Sequence, residues 1–285
     1  ITFALTWGLF FFPYIQAGYK WGESNPASDI DSLVALGMLV PTIGMLLTRY
    51  ITKEGFAVTG KDSMMLGMYF KDKKWIYLLL AVLLPYLYTE LGSVIRLIIA
   101  PEVYDPNNEN LIEILGPDKT KIFIIPIALI ISGIFGSFAA FGEEEGWRGY
   151  MMPKMIKLWG FKKAVLIGGF VWGMWHWPLT YVGHNFGTDY IGYPFTGFLA
   201  MSFMCIVLGT ILTYITVKSS SIWPATIMHA VSNCGPSILA CLIDSEKAVG
   251  WHAQSVLTFP LNTLPMLAFA VYFFIKYSRK PDAVA

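Results

Sequence analysis

The chain has 285 residues and a formal net charge of +1, with 20 Lys and Arg against 19 Asp and Glu. This balance argues against attraction to nucleic acid or to another strongly charged partner. Apolar residues make up 55% of the sequence and charged residues 14%, whereas an average soluble domain is about 25% charged. We therefore expect an all-α protein that forms one integral-membrane domain over residues 1–285 and binds no nucleic acid.

Long apolar stretches predict where the chain crosses the bilayer. A spanning helix needs about 20 mostly apolar residues, and charged or Gly-, Pro- and Asn-rich segments separate eight such stretches. We place them at residues 2–19, 31–48, 75–98, 122–147, 163–182, 195–217, 222–243 and 255–275. Because Pro178 follows His176 closely, we expect the fifth span to be kinked just beyond this histidine.

The Lys and Arg residues indicate the orientation of these spans. With eight spans both termini lie on one side, and the loops on that side hold 14 of the 20 cations, against four on the other. Cytoplasmic loops are enriched in Lys and Arg, so we predict that both termini are cytoplasmic. The apolar segment 55–70 is too short to cross, and we expect it at the cytoplasmic interface or packed as an ordinary loop.

Ionisable residues interrupt three spans at a similar depth. Glu143, His176 and His229 lie 11, 13 and 11 residues from the nearest cation on the predicted cytoplasmic side, which corresponds to roughly 16–20 Å along a helix. Ionisable groups within a bilayer are costly and need a partner or a function. The shared depth predicts one buried site that opens to the cytoplasm, although a single histidine in an apolar helix is more often a packing residue.

Helical spacing divides the polar residues of the predicted site into pairs. Glu144 and Arg148 are four residues apart and are expected to form a structural ion pair, whereas Glu143 lies about 100° around the helix without a cation at this spacing. His229 and Asn233 share a helical face by the same rule.

Two sets of neighbouring residues have less specific interpretations. Glu145 is expected to be solvated or to face a cavity. Tryptophans near the site more often pack or line the membrane interface than form a groove, but a group of four favours an apolar groove. These are Trp147, Trp172, Trp175 and Trp177.

The ordered motifs resemble the type II CaaX prenyl endopeptidases, the family of the Ras-converting enzyme, and their bacteriocin-processing relatives among the glutamate-type intramembrane proteases. The first motif consists of two adjacent glutamates, three further residues and an arginine. The second is an aromatic residue four positions before a histidine, and the third is a histidine four positions before an asparagine. In order, the matching residues are Glu143, Glu144, Arg148, Trp172, His176, His229 and Asn233. The motif-bearing core covers about residues 122–243, and Trp172 stands where Phe is commoner in the family.

The resemblance implies an endopeptidase that hydrolyses the bond after a prenylated cysteine and releases the C-terminal tripeptide. Glu143 would act as general base on a water molecule that His176 also holds. His229 and Asn233 would donate hydrogen bonds to the oxyanion.

The remaining predicted residues support the site or contact the substrate. Glu144 and Arg148 would hold the site together, and Trp172 and Trp175 would form an apolar wall for a prenylated or otherwise hydrophobic C-terminal peptide entering from the lipid bilayer. No cofactor and no metal ion would be needed.

Three alternatives remain open from the residues. Two histidines and a glutamate could hold a catalytic zinc ion, although the sequence has no HExxH motif. Midplane histidine and glutamate could instead serve an ion-coupled transporter, although no internal repeat is visible. The chain could also be a catalytically silent partner protein.

Overall fold

The computed structural model describes residues 1–16, 18, 36–106, 122–244 and 255–279. The structure is 75% helical and contains no strand in these residues, so the predicted all-α class is confirmed. The α-helices are α1 (Thr2–Leu5), α2 (Phe12–Gln16), α3 (Val40–Thr52), α4 (Ile76–Ile99), α5 (Ile124–Phe135), α6 (Ser137–Glu144), α7 (Met152–Trp175), α8 (Trp177–Tyr181), α9 (Phe195–Ser219), α10 (Trp223–Cys234) and α11 (Ser255–Arg279). Two π-helices, Thr6–Phe11 and Glu145–Met151, join α1 to α2 and α6 to α7.

Several of these helices are long and apolar enough to cross a bilayer. Within the described residues, Ile76–Ile99, Phe195–Ser219 and Trp223–Leu242 meet this requirement, and the bent pair Ile124–Phe135 with Ser137–Trp175 adds a fourth candidate span. The integral-membrane class is thereby confirmed. The count of eight spans, the orientation and the single domain over 1–285 stay predictions, and parts of the first two predicted spans lie outside the described residues.

The segment between the fourth and fifth predicted spans is helical rather than a loop. After a 52° bend between α5 and α6, helical structure continues from Ser137 through the π-helix into α7. Gly160 interrupts α7 with φ 74° and ψ 163°, a conformation that glycine adopts without a steric penalty because it lacks Cβ. The fifth span is broken at His176, which separates α7 from α8, with Pro178 in the first turn of α8.

Helix α9 lies in the core and packs closely against α7. A Cβ atom on Gly169 of α7 would lie 2.5 Å from Ile206 Cα, and one on Gly173 would lie 2.4 Å from Ser202 Cα. Small residues allow this approach of two backbones, which is a main source of helix association in membranes. The contact fixes the end of α7, and therefore His176, against α9.

We expect Gly169→Ala to destabilise the protein because the added methyl group would force α7 and α9 apart. Overpacking of this kind costs about 1–3 kcal/mol. Gly8→Ala is the matched control, since a Cβ atom at Gly8 meets nothing within 4 Å. Thermal unfolding in detergent should show a lower midpoint for Gly169→Ala alone; equal midpoints would contradict the close-packing argument.

Candidate active site

An indole ring joins the three segments that carry the predicted site residues. Trp172 on α7 donates a hydrogen bond from Nε1 to Oε2 of Glu143 at 2.8 Å. Its ring lies 5.7 Å from the His176 ring and 5.4 Å from the His229 ring, both near-perpendicular contacts. Glu143, His176 and His229 therefore meet around Trp172, and all four side chains are buried.

Glu144 connects α6 to α10 as well as to its own turn. Its Oε1 accepts a hydrogen bond from Arg148 Nη1 at 3.0 Å and another from His229 Nδ1 at 2.8 Å. The predicted pair of Glu144 and Arg148 therefore forms. The guanidinium of Arg148 also lies 3.9 Å from the centre of the Trp172 ring, so one arginine supports both the carboxylate and the indole.

The contact between Glu144 and His229 was missed by sequence reasoning. The depth argument places both Glu143 and Glu144 within one residue of the level of His229, but it does not choose between two adjacent carboxylates. The choice depends on the rotation of α6 about its axis, which contacts distant in the sequence determine.

The glutamate-rich turn is enclosed on every side. Residues 142–149 are all buried, although a helix at the edge of a bundle normally exposes one face. Helix α3 covers the face opposite α10: Thr42 Oγ1 donates to the Gly142 carbonyl at 2.9 Å, and a Cβ atom on Gly146 would lie 2.5 Å from the Pro41 carbonyl carbon. The π-helix also widens this turn, a feature that is frequent at functional sites.

This enclosure corrects the expectation for Glu145. The side chain is neither solvated nor at a cavity surface: it is 0% exposed, and neither carboxylate oxygen has a hydrogen-bond partner in the described part of the chain. The physical reason is that α3 packs over this face and brings the buried Arg49 within electrostatic reach of Glu145.

The ring of His176 is oriented by its own helix. His176 Nδ1 lies 2.9 Å from the Trp172 carbonyl oxygen. Because a carbonyl can only accept a hydrogen bond, Nδ1 carries the proton, and Nε2 of the neutral ring presents a lone pair. Trp175 fixes the ring from the side at a centroid distance of 4.7 Å.

The two tryptophans predicted to contact substrate are packed into the core. Trp172 is committed to Glu143, and Trp175 donates from Nε1 to Thr6 Oγ1 at 3.0 Å. Since both side chains are buried, neither forms the wall of an open groove in this structure. Their contact with substrate stays a prediction.

Asn233 is the predicted residue that the structure does not bring into this cluster. It lies on α10 one turn after His229, close to the end of the helix, and its side chain is exposed. No hydrogen bond joins it to the other predicted site residues.

A catalytic zinc ion would need three such side chains around one point. Among the described residues, no three His, Cys, Asp or Glu side chains are arranged to hold a metal ion. His229 Nδ1 and Glu144 Oε1 already bind each other, and Arg148 occupies the same carboxylate oxygen.

Comparison with known proteins identifies the segment that contains this cluster. The sequence model of the family described as type II CAAX prenyl endopeptidase, Rce1-like, matches residues 124–235. The segment is similar to this family, and we refer to it as the Rce1-like segment. This match confirms the resemblance predicted from the motifs, and the Rce1-like segment runs from α5 to the end of α10 and includes every predicted site residue.

One curated relative is similar over nearly the same length of chain. The CAAX prenyl protease 2 of Methanococcus maripaludis is 29% identical over 109 residues, which are 38% of this chain. The matched part spans 40% of that relative's length.

We expect Arg148→Ala to unfold the protein more readily because it leaves the Glu144 carboxylate buried without its cation. Removing one partner of a buried ion pair costs about 3–5 kcal/mol. Lys154→Ala is the control, since it breaks a pair with Glu54 in which Lys154 is 44% exposed, a type worth about 1 kcal/mol or less. Unchanged thermal stability of Arg148→Ala would contradict a structural role for Arg148.

Proposed function

We propose that the chain is an intramembrane endopeptidase of the CaaX prenyl protease type. It would hydrolyse the peptide bond after a prenylated cysteine and release the C-terminal tripeptide. The observation that carries this proposal is the convergence of Glu143, His176 and His229 around Trp172 inside the Rce1-like segment. The substrate class is taken from the name of the curated relative, CAAX prenyl protease 2. The buried carboxylate and the two imidazoles are groups that can activate a water molecule.

From the charges of the site we infer that one proton lies either on Glu143 or on Nε2 of His229. Ionised Glu143 and Glu144 carry two negative charges, and Arg148 offsets one of them. All four residues are at most 4% exposed, and an uncompensated charge at such a position is strongly unfavourable. The cluster is neutral when Glu143 is ionised and His229 is an imidazolium, or when the proton lies on Glu143 and His229 is neutral.

This shared proton lets His229 act as an oxyanion donor. Its Nδ1 already donates to Glu144, so a neutral ring would have only an acceptor at Nε2. The imidazolium donates from both nitrogens and can stabilise the oxyanion from Nε2. Glu144 therefore supports catalysis by holding His229 in its charged form.

The proposed reaction begins with Glu143 removing a proton from water. Trp172 holds Oε2 of the carboxylate, which leaves Oε1 to take the proton. His176 Nε2 accepts a hydrogen bond from the other O–H of the same water molecule, which stays on the oxygen. The water oxygen bonds to the substrate carbonyl carbon, and His229 stabilises the oxyanion. The C–N bond then breaks, and Glu143 returns its proton to the leaving amine.

Further parts of the proposal concern the surroundings of the site. We assign Asn233 as a second oxyanion donor, on the same face of α10 as His229. The substrate is a prenylated or otherwise hydrophobic C-terminal peptide that enters from the bilayer. The site opening and both termini are proposed to be cytoplasmic, on the basis of the Lys and Arg distribution.

We expect Glu143→Gln to lower cleavage by about 10²–10⁴-fold, since it removes the general base and preserves the size of the side chain. A Gln carbonyl can still accept from Trp172, so the fold should be kept. Glu145→Gln is the matched control, a neighbouring buried carboxylate with no part in the mechanism. Tripeptide release from a farnesylated CaaX peptide, measured by mass spectrometry, should fall only in the first variant, and more than about a tenth of the activity remaining would exclude Glu143 as base.

We further propose that the reaction is independent of metal ions. In the proposed mechanism Glu143 and His176 bind the attacking water, and His229 binds the oxyanion, so no ligand is left for a metal ion. Active protein should contain no stoichiometric zinc, and a membrane-permeable chelator should leave tripeptide release unchanged. Loss of activity on chelation, with recovery on adding zinc back, would favour the zinc-dependent alternative.

A further inference from the structure

A cavity lies at one end of the helix bundle, apart from the candidate active site. It has a volume of about 580 Å³ and is bounded by the end of α3, the connection between α3 and α4, the start of α7 and the end of α9. Gly149 and Tyr150 line it and directly follow Arg148 in the chain, but Glu143, His176 and His229 do not reach it. Its size is that of an ordinary small-molecule site.

The walls of this cavity are strongly basic. Asp62 is its one acidic residue among the described residues that line it. Six cations line it, and they come from segments distant in the sequence: Arg49, Lys61, Lys74, Lys154, Lys157 and Lys218.

Neighbouring groups hold several of these cations in place without neutralising the whole set. Arg49 donates to the backbone carbonyls of Asp62 and Ser63 at 3.0 and 2.8 Å, and Lys74 Nζ donates to Ser220 Oγ at 2.9 Å. Lys154 pairs with Glu54. Leaving Lys218 aside, five cations lie beside three carboxylates of the described residues, Asp62, Glu54 and the buried Glu145, so the cavity has an excess of positive charge and suits an anion.

Exposed apolar side chains surround the same end of the bundle. The end of α3 and the connection to α4 expose large apolar residues that would be unfavourable in water: Tyr50, Ile51, Phe56, Val58, Met68, Phe70 and Trp75. Apolar residues beside lysines are typical of segments at the boundary between lipid tails and headgroups. The interfacial position predicted for the segment 55–70 would bring the cavity to the level of the phospholipid headgroups.

We propose that this cavity binds the anionic phosphate headgroup of a membrane phospholipid. Its cations hold the phosphodiester group, and the exposed apolar residues contact the upper acyl chains. Basic pockets between membrane helices bind anionic headgroups in this way, and each Lys or Arg near an anionic lipid contributes about fivefold in affinity. A free phosphate ion offers the same charge but nothing for the apolar residues, which is why we assign a lipid.

The test measures lipid binding to the full chain purified in neutral detergent, without any peptide substrate. Native mass spectrometry gives the dissociation constants for phosphatidylglycerol and for phosphatidylcholine, with inorganic phosphate as the competitor. Lys61→Gln with Lys157→Gln removes two exposed cavity lysines. Lys71→Gln with Lys162→Gln removes two exposed lysines outside the cavity and is the control of equal charge.

We expect the full chain to prefer phosphatidylglycerol, the cavity double variant to bind it about tenfold or more weakly, and the control to bind it like the unmodified chain. Asp62→Asn should strengthen binding severalfold, and Asn suits the φ of 55° at this residue. If the double variant does not fold, Asp62→Asn alone tests the proposal: stronger binding supports it, and unchanged binding contradicts it.

Three results would overturn the proposal. One is equal affinity for the two lipids. The second is an equal loss in both double variants, which would indicate general attraction to the protein surface. The third is displacement of the lipid by an equal concentration of inorganic phosphate, which would make the site one for soluble phosphate. Because no cleavage is measured, these results are separate from failure of the proposed protease activity.

Discussion

The candidate site depends on the hydrogen bonds of one buried carboxylate, that of Glu144. One of its oxygens accepts hydrogen bonds from both Arg148 and His229, and thereby joins α10 to the glutamate-rich turn. Cations and hydrogen-bond donors around a buried carboxylate offset part of the free-energy cost of removing its charge from water. In the proposed mechanism the same carboxylate holds His229 in its charged form, so structural support and the proposed chemistry share one group.

Close helix packing makes this burial possible. Gly142 and Gly146 let α3 cover the turn that carries the glutamates, and Gly169 and Gly173 let α7 approach α9. These contacts exclude the space that water would occupy around the charges, which strengthens every electrostatic interaction within the cluster. They also explain why Glu145 is buried without a hydrogen-bond partner in the described residues.

The π-helix Glu145–Met151 lies between two different electrostatic environments. Arg148, near its middle, contributes to a buried cluster whose charges balance, whereas Gly149 and Tyr150 line a cavity with an excess of positive charge. Within one helical turn the chain therefore passes from the proposed active site to the proposed headgroup site. The proposed lipid would lie close to the segment that positions the catalytic residues.

The sequence alone determined the membrane class and the pairing of Glu144 with Arg148, because hydropathy and helical spacing are local properties. Its ordered motifs also named the members of the cluster, together with Asn233, which lies outside it. The tertiary structure decided that His229 contacts Glu144, that Trp172 holds Glu143, that Glu145 is buried, and that lysines from separate segments share a cavity. These features depend on the rotation of each helix about its own axis and on the distance between neighbouring helices. Such choices come from contacts as distant in sequence as Thr42 with Gly142, and no local pattern records them.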